Sequence, residues 1–206
     1  METLKIKNII FDFGDIFIDL EKPATMQKIQ KLGLQELSPE MVKMNESYEK
    51  GLVETNDFVN YYHHILPHAS KEELIEAWNA IILDFPEYRL KFIEKMAEEN
   101  KFNLFLLSNT NELHIEAVIK RMTLSRYTRF KQCFKKFYLS HEIHKRKPDH
   151  EIYNFVLDAN NLVAQETIFI DDTFENVEAA KQVGIHGWNL IPGEEDITEL
   201  FSKFAL

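Results

Sequence analysis

The sequence predicts an α/β fold in which an open, Rossmann-like sheet of parallel strands carries an inserted helical-bundle cap. Several segments are continuous runs of Ile, Phe and Leu, which is typical of parallel strands buried on both faces. Helical patterns alternate with these runs over the second half of the chain, as they do around an open parallel sheet. A long helical stretch separates the first run from the second and predicts the cap.

The continuous apolar runs and the helical patterns locate the strands and helices of the core. The predicted strands are 6–11, 102–107, 137–139, 167–170 and 186–190. Apolar residues at three-to-four spacing predict helices over 112–125, 149–159 and 174–183. Gly184 follows the last of these helices and is a good residue to end it. From about residue 88 onward, helix and strand therefore alternate.

The segment between the first two strands contains no convincing strand of its own. Its helical patterns cover 24–32, 39–48, 56–66 and 71–83, with candidate N-caps at Ser38, Thr55 and Ser70. Helices of this number and size can form a bundle over the mouth of a sheet. We therefore expect an α/β catalytic core of residues 1–18 and 86–206 and a helical cap of residues 19–85.

The composition is that of an ordinary folded protein. Of the 206 residues, 45% are apolar and 28% are charged, and sixteen phenylalanines predict a bulky core. No apolar stretch approaches the ~20 residues that span a bilayer, and the first residues lack the layout of a secretory signal. A single cysteine, Cys133, excludes an internal disulfide. These features predict a cytoplasmic protein with no membrane partner.

The net charge of −10 is unevenly distributed along the chain. Residues 120–147 hold ten Lys or Arg and one acid, Glu142, and so carry +9. The first interpretation of this segment is a solvated helix face, and the second is a field that draws in a small anionic substrate. A nucleic-acid surface comes last, because the acidic remainder would repel a polyanion and the segment has no RNA-binding signature.

Polar groups with complementary chemistry stand at the ends of the predicted strands. Asp12 ends the first strand, and Gly14 lets the next loop turn sharply and present a backbone carbonyl to the same point. A carboxylate placed there can attack phosphorus and form an aspartyl-phosphate. Its alternative role is to cap the following turn. Because two anions repel each other, attack on a phosphate ester also requires cations.

Asp171 and Asp172 end the fourth strand and predict a metal site. Adjacent acids repel each other, and a divalent ion removes this repulsion. Oxygen ligands from Asp12, the Gly14 carbonyl and an acid of the pair Asp171 and Asp172 suit octahedral Mg²⁺ with several waters retained, and the sequence does not choose between the two acids. Asn176, one turn into the next helix, can hold the acids in place. The alternative is that Asp172 is the N-cap of that helix.

Two further segments supply groups that can bind phosphate. Ser108 and Asn109 end the second strand, where a hydroxyl and a loop N–H can cradle a phosphate, or can simply cap the next helix. Lys147 can neutralise the nucleophile and the charge that develops on the phosphoryl group. Lys145 and Arg146 are competing cations, and spacing alone does not choose among the three.

Together these segments resemble the motifs of the haloacid dehalogenase-like superfamily, over essentially the whole chain. The matching segments are, in order, Phe11-Asp12-Phe13-Gly14, Ser108-Asn109, Lys147-Pro148 and Asp171-Asp172 with Asn176. Asp19 and the helical insert also match. The motif details look most like cytoplasmic sugar-1-phosphate phosphatases, especially the α-glucose-1-phosphate phosphatase type. The resemblance implies a hydrolase of phosphate esters with Asp12 as nucleophile and Mg²⁺ as cofactor.

One position departs from the pattern of this superfamily. Most of its phosphatases carry a second aspartate two residues after the nucleophile, acting as general acid and base, whereas this chain has Gly14 there. The similar α-glucose-1-phosphate phosphatases also carry glycine, so hydrolysis remains the expectation, and a phosphomutase is disfavoured. Asp15 is one residue out of phase, and we expect it to point away from the cleft.

The expected function is Mg²⁺-dependent hydrolysis of a small phosphomonoester, such as a sugar phosphate. A carbon–halogen hydrolase of the 2-haloacid dehalogenase type is the first alternative, which Asp171 and Asp172 disfavour because such relatives need no metal. A non-catalytic binding protein of the same fold is the second. We expect a monomer or a homodimer that binds no nucleic acid.

Specificity is expected to reside in the cap, which the sequence does not resolve further. Its aromatic and histidine side chains cannot be ranked as substrate contacts; they include Tyr48, Tyr61, His64 and Trp78. A metal site at His63, His64 and His68 is conceivable from their spacing, but we expect exposed cap histidines instead.

Overall fold

The computed structural model describes residues 5–204 and contains a parallel sheet of five strands. The strands are β1 (Asn8–Phe11), β2 (Asn103–Ser108), β3 (Lys136–Leu139), β4 (Thr167–Asp171) and β5 (His186–Asn189). Their order across the sheet is β3-β2-β1-β4-β5, and every neighbouring pair is parallel. The five predicted strands are all present, with ends that differ by at most two residues.

Helices cover both faces of this sheet and form a bundle above it. They are α1 (Ala24–Lys31), α2 (Pro39–Glu49), α3 (Thr55–Ile65), α4 (Lys71–Trp78), α5 (Glu87–Glu99), α6 (Glu112–Met122), α7 (Leu124–Gln132), α8 (Ser140–Ile143), α9 (His150–Asn160), α10 (Phe174–Gln182) and α11 (Leu200–Phe204). Short 3₁₀ helices occupy Asn79–Ile81, Ala164–Glu166 and Ile197–Glu199. Between residues 5 and 204, none of the helices is long and apolar enough to cross a membrane.

The register of β1 brings distant residues to one edge of the sheet. Phe11 is level with Leu106 of β2 and with Ile170 of β4. Because all three strands are parallel, their carboxyl ends open onto the same crevice. The polar residues that follow each strand are therefore neighbours in space, as the sequence analysis required.

One predicted core helix is in fact two. The predicted helix 112–125 ends at Met122, because Thr123 adopts a φ of 71° that an α-helix does not allow. The Thr123 hydroxyl then accepts a hydrogen bond from the Arg126 N–H and caps the start of α7. The apolar spacing gave no sign of this break in the sequence.

Phenylalanine rings form much of the core on one face of the sheet. Phe130 of α7 lies 5.0–5.9 Å, centroid to centroid, from five other rings, those of Phe13, Phe17, Phe85, Phe134 and Phe137. Phe13 and Phe17 belong to the loop that follows β1, and both are buried. Burial of such rings anchors the residues on either side of Gly14. The high phenylalanine content thus fixes the loop that carries the site.

The four helices α1–α4 lie between β1 and β2 and form the bundle predicted as a cap. The chain enters and leaves this bundle side by side: Asp19 N–H donates to Asp84 O (2.8 Å), and Leu83 N–H donates to Asp19 O (3.0 Å). Ser38 and Ser70 cap α2 and α4, as predicted.

Two details of the cap prediction are wrong. Thr55 is not an N-cap, because Glu54 occupies that position and the Thr55 hydroxyl bonds to Tyr48 and Glu112 instead. The last helix ends at Trp78 and tightens into a 3₁₀ turn rather than continuing to residue 83. Thr55 thus uses its hydroxyl in tertiary contacts instead of capping α3. The turn after α4 is likewise bonded to another loop, since Glu21 N–H donates to Ile81 O.

Part of the basic segment serves to pack one helix on another. Arg126 and Arg129 of α7 form ion pairs with Glu87 and Glu94 of α5, at 3.0 and 2.8 Å. These arginines are thereby neutralised within the core unit. The first interpretation of the segment was a solvated helix face, whereas these two arginines pair with another helix.

Candidate active site

A cleft of about 410 Å³ opens at the carboxyl edge of the sheet. Seven of the predicted site residues line it: Asp12, Gly14, Ser108, Asn109, Lys147, Asp172 and Asn176. The eighth, Asp171, lies fully buried directly beneath. Six further residues line the cleft: Leu20, Lys22, Arg146, Pro148, Thr173 and Glu175. Of these, the sequence had indicated only Arg146, as a rival cation of Lys147, and Pro148, as part of a motif.

A buried ion pair lies on the floor of the cleft. The Lys147 Nζ is 2.6 Å from Asp12 Oδ1 and 2.6 Å from Asp171 Oδ2. Burial raises the pKa of Asp12 to about 7, with Lys147 opposing this shift and Asp171 adding to it. Burial also acts against the charge of Lys147, but the two carboxylates outweigh it and raise the pKa of Lys147. The ammonium therefore stays charged between the two acids.

Of the three candidate cations, the structure places Lys147 against the acids, and Asn109 holds it there. The Asn109 side-chain amide donates to Lys147 O (2.8 Å) and accepts from Lys147 N–H (2.9 Å). This paired contact joins the loop after β2 to the segment before α9. The sequence analysis considered only the backbone of Asn109 and missed this role. The alternative role of Ser108 and Asn109 as a helix cap is wrong, since Asn111 caps α6.

The two adjacent aspartates have different environments. Asp171 accepts hydrogen bonds from Thr173 N–H (2.8 Å) and from the Asn176 amide (3.1 Å to each oxygen), in addition to Lys147. Asn176 therefore holds an acid in place, as predicted. Asp172 instead lines the cleft and is not the N-cap of α10, because Thr173 occupies that position.

Three carboxylates converge in a manner that suits a divalent cation. Oxygen atoms of Asp12, Asp171 and Asp172 all lie within 4.8 Å of one another. In the described part of the chain, residues 5–204, no other group of three or more acidic, histidine or cysteine side chains converges in this way. Hard oxygen donors in a buried cluster are what Mg²⁺ prefers. Burial raises the pKa of Asp12, and a bound cation would favour the charged form of this carboxyl.

The loop after β1 turns at Asp15 rather than at Gly14. Asp15 has a φ of 54°, whereas Gly14 is not in the left-handed region. The side chain of Asp15 accepts from Leu20 N–H (3.0 Å) and lies 3.2 Å from the Lys22 ammonium. A Cβ added to Gly14 would lie 2.6 Å from Leu20 Cδ1 and 3.8 Å from Asp12 Oδ2. A side chain at residue 14 would therefore require the end of the Leu20 side chain to shift, whereas the backbone there is not strained.

Two cations in the cleft connect it to other parts of the molecule. Lys22 pairs with Asp172 and with Asp15. Arg146 pairs with two acids of cap helix α2, Glu46 at 3.3 Å and Glu49 at 3.1 Å. No spacing in the sequence marks Lys22, which lies in an irregular loop. Arg146 was considered only as a rival of Lys147.

The cap side chains considered for specificity do not line the cleft. Tyr48 and Trp78 are buried within the bundle, where Tyr48 stacks on Phe58 with the ring centroids 4.1 Å apart. The histidines do not form a metal site either, since His63 bonds to Ala69 O and His68 bonds to Leu32 O.

Comparison with known proteins agrees with this geometry. Residues 9–188 match the sequence profile of the haloacid dehalogenase-like hydrolases. A D-ribitol-5-phosphate phosphatase of Bacteroides thetaiotaomicron is 26% identical over 185 residues, which cover 87% of this chain and 89% of that protein.

Solved structures of a haloacid dehalogenase-family enzyme from the same bacterium are also similar. Its magnesium complex is 31% identical, with a TM-score of 0.85 over 96% of this chain and 98% of that one. Its wild-type complex with magnesium and inorganic phosphate is 30% identical, with a TM-score of 0.81 over 95% of this chain and 99% of that one. The predicted resemblance and the α/β fold are thereby confirmed, and the chain belongs to the haloacid dehalogenase-like hydrolase family.

Proposed function

We propose that this protein is a Mg²⁺-dependent phosphatase that hydrolyses a small, polar phosphomonoester through an aspartyl-phosphate on Asp12. The observation that carries the proposal is the convergence of Asp12, Asp171 and Asp172 at the carboxyl ends of β1 and β4, where Asp12 and Asp171 also hold the Lys147 ammonium. The phosphatase relative and the magnesium and phosphate complexes of a similar enzyme support it.

The residues present fit a magnesium ion. Asp12, Asp172 and the backbone carbonyl of Gly14 are the groups that would hold it, with Asp171 completing the acid cluster. Asp172 is the better direct ligand of the adjacent pair, because Asp171 already accepts from Lys147, Thr173 and Asn176. When bound, Mg²⁺ neutralises charge on the nucleophile and on the phosphoryl oxygens.

The residues of the cleft have separate roles in the proposed reaction. The Asp12 carboxylate attacks phosphorus, while Lys147, the Ser108 hydroxyl and the Asn109 backbone N–H bind the phosphoryl oxygens. Lys147 is suited to this task because it is buried and held by two carboxylates and by the Asn109 side chain. Water then hydrolyses the aspartyl-phosphate and releases phosphate.

The lining of the cleft favours a polar substrate such as a sugar or polyol phosphate. Among the described lining side chains, only Leu20 and Pro148 are hydrocarbon, and the rest carry hydroxyl, amide or charged groups, apart from Gly14. A substrate with many hydroxyl groups can use these partners, whereas an apolar phosphate ester would leave them unpaired. The D-ribitol-5-phosphate phosphatase relative supports the same substrate class.

The decisive experiment measures phosphate release from a panel of sugar, polyol, terpenyl and aryl phosphates. We expect hydrolysis with Mg²⁺, loss of activity in excess chelator, and recovery when Mg²⁺ is restored. Sugar and polyol phosphates should be the best natural esters, and Asp12→Asn is the matched control for contaminating phosphatase. Halide release from a 2-haloacid in the presence of chelator would instead assign the protein to the dehalogenases. Failure to hydrolyse any ester would favour a binding protein.

A further inference from the structure

Lys22 is a second cation of the cleft, and its side chain is far more exposed than that of Lys147. It lies in the loop between β1 and α1, with 56% of its side chain exposed, and pairs with Asp172 and, at 3.2 Å, with Asp15. Lys147, in contrast, has a side chain that is 1% exposed and bonded to two buried carboxylates. The Lys22 side chain therefore has room to change its partner, whereas the enclosed Lys147 side chain does not.

The partner of Lys22 is a carboxylate that a metal ion would use. Asp172 belongs to the acid cluster with Asp12 and Asp171. A divalent ion on Asp172 and an ammonium on the same carboxylate repel each other, so the two compete. Asp15 lies outside that cluster, and its other oxygen is held by Leu20 N–H. Asp15 therefore keeps Lys22 beside the cleft when Asp172 changes partner.

The same corner of the cleft lacks an acid for the leaving group. Gly14 has no side chain, and Leu20 fills the space next to it. Leu20 and Lys22 both line the cleft on this side, two residues apart. Glu175 is the remaining acid of the lining outside the metal cluster. A leaving oxygen that cannot receive a proton from a neighbouring acid needs a positive charge instead.

We propose that Lys22 leaves Asp172 when the metal binds and then stabilises the leaving-group oxygen of the substrate. This inference rests on the proposed phosphatase function. As an Asp12 oxygen bonds to phosphorus, the P–O bond to the alcohol breaks and its electron pair stays on the alcohol oxygen. The Lys22 ammonium donates a hydrogen bond to that oxygen, and water supplies the proton with which the alcohol departs.

The first test measures Mg²⁺ binding without substrate, by isothermal titration calorimetry at constant pH. Lys22→Met should bind Mg²⁺ about three- to tenfold more tightly than the wild type, because a competing charge is gone. Lys28→Met is the matched control, since Lys28 is also exposed and pairs with Glu76 on the bundle, outside the cleft. Unchanged affinity in Lys22→Met would overturn the exchange of partners.

The second test compares kcat/KM for an alkyl and an aryl phosphate. We choose kcat/KM because it reports the steps up to and including loss of the alcohol. Lys22→Met should lose about 10²-fold on the alkyl ester and less than about fivefold on p-nitrophenyl phosphate, whose leaving group needs little help. Lys22→Arg should recover most of the alkyl activity. Equal losses on both esters would overturn the proposal, and so would a selective alkyl loss in Glu175→Gln with none in Lys22→Met.

These outcomes separate the inference from the function on which it rests. If the wild type hydrolyses neither ester, the proposed function fails. The Mg²⁺ titration then still decides whether Lys22 competes with a metal at Asp172. If the wild type is an Mg²⁺-dependent phosphatase and Lys22→Met behaves like Lys28→Met, the function stands and the role of Lys22 is rejected.

Discussion

At Asp12, the demands of catalysis and of folding oppose each other. Burial raises the pKa of this carboxyl to about 7, so its charged form is disfavoured in the metal-free fold, yet attack on phosphorus requires that form. A group whose pKa is raised on folding stabilises the protein when protonated, and this stabilisation is lost as the pH rises through 7. The site therefore gives up some stability at neutral and alkaline pH to hold the carboxylate that we propose as the nucleophile.

The first prediction follows from this conflict. Asp12→Asn should reduce turnover to less than about a hundredth of the wild-type rate, because an amide is a poor nucleophile. In metal-free buffer at pH 8, its melting temperature should equal or exceed that of the wild type, because a destabilising charge is gone. Phosphate release and calorimetric melting measure the two effects. Retained activity would contradict the assignment of Asp12 as nucleophile.

The second prediction concerns the missing side chain at Gly14. Because Leu20 Cδ1 lies 2.6 Å from the position of a Cβ on residue 14, Gly14→Asp alone should disturb the loop and lower activity. Combined with Leu20→Ala, it should raise kcat/KM for an alkyl phosphate by about tenfold or more over Leu20→Ala, because an acid then assists the leaving group. Steady-state kinetics on alkyl and aryl phosphates measure this difference. If Gly14→Asp alone gives the full gain, Leu20 is not the obstacle.

At the scale of elements, the site depends on loops that hold one another. Neither the loop after β2 nor the segment before α9 is regular, and the Asn109 side chain joins them through two hydrogen bonds to the Lys147 backbone. Such paired contacts fix a backbone more firmly than either bond alone, because both must break before the loops can separate. The position of the Lys147 ammonium thus depends on a residue of another loop.

Asn109→Ala should therefore lower kcat/KM by about 10²-fold, because a misplaced Lys147 no longer meets the phosphoryl group. Inorganic phosphate should also become a weaker inhibitor, and inhibition kinetics measure this. Asn103→Ala is the matched control, since Asn103 bonds to Asn8 at the opposite end of β2. Equal effects of the two substitutions would show that Asn109 acts through general stability and not through Lys147.

At the scale of the whole molecule, a neutral histidine lies between the cap bundle and the core. His114 of α6 stacks on Trp78 with the ring centroids 5.4 Å apart. Its Nε2–H donates to Trp78 O, which can only accept (3.2 Å), so Nδ1 is the acceptor for the Asn111 amide (3.2 Å). A second ring proton would sit on Nδ1, where it would face the amide donor of Asn111 and find no acceptor. Burial lowers the pKa of His114 to about 4.

The contribution of His114 to the stability of the protein should therefore fall as the pH drops from about 6.5 to about 4. An unfolded histidine binds a proton near pH 6.5, whereas folded His114 resists it down to about pH 4. We expect a loss of about 2 kcal/mol from this residue, discounted because the ring is only part-buried. In urea unfolding across this range, the free energy of unfolding of the wild type should fall relative to that of His114→Gln as the pH drops. Parallel curves for the two proteins would contradict this role.

The class of the fold, and the grouping of several polar residues at one edge of the sheet, could be predicted from the sequence alone. Each strand is an uninterrupted apolar run, and such a run can be buried only between two helical layers, which predicts a parallel sheet. The polar residue that ends each run must then face the open edge. For this reason Asp12, Ser108 and Asp171 could be placed at one site before any contact was known, and the structure brings them together.

Only the tertiary structure decided how that site is completed. Lys147 was distinguished from Lys145 and Arg146 because it alone of the three lies within 2.6 Å of Asp12 and Asp171. Lys22 could not be found from the sequence, because its role arises from a loop with no periodicity. The same holds for the contact of Leu20 with Gly14. Spacing along a chain reports which face of a regular element a residue occupies, whereas irregular loops take their positions from the packing around them.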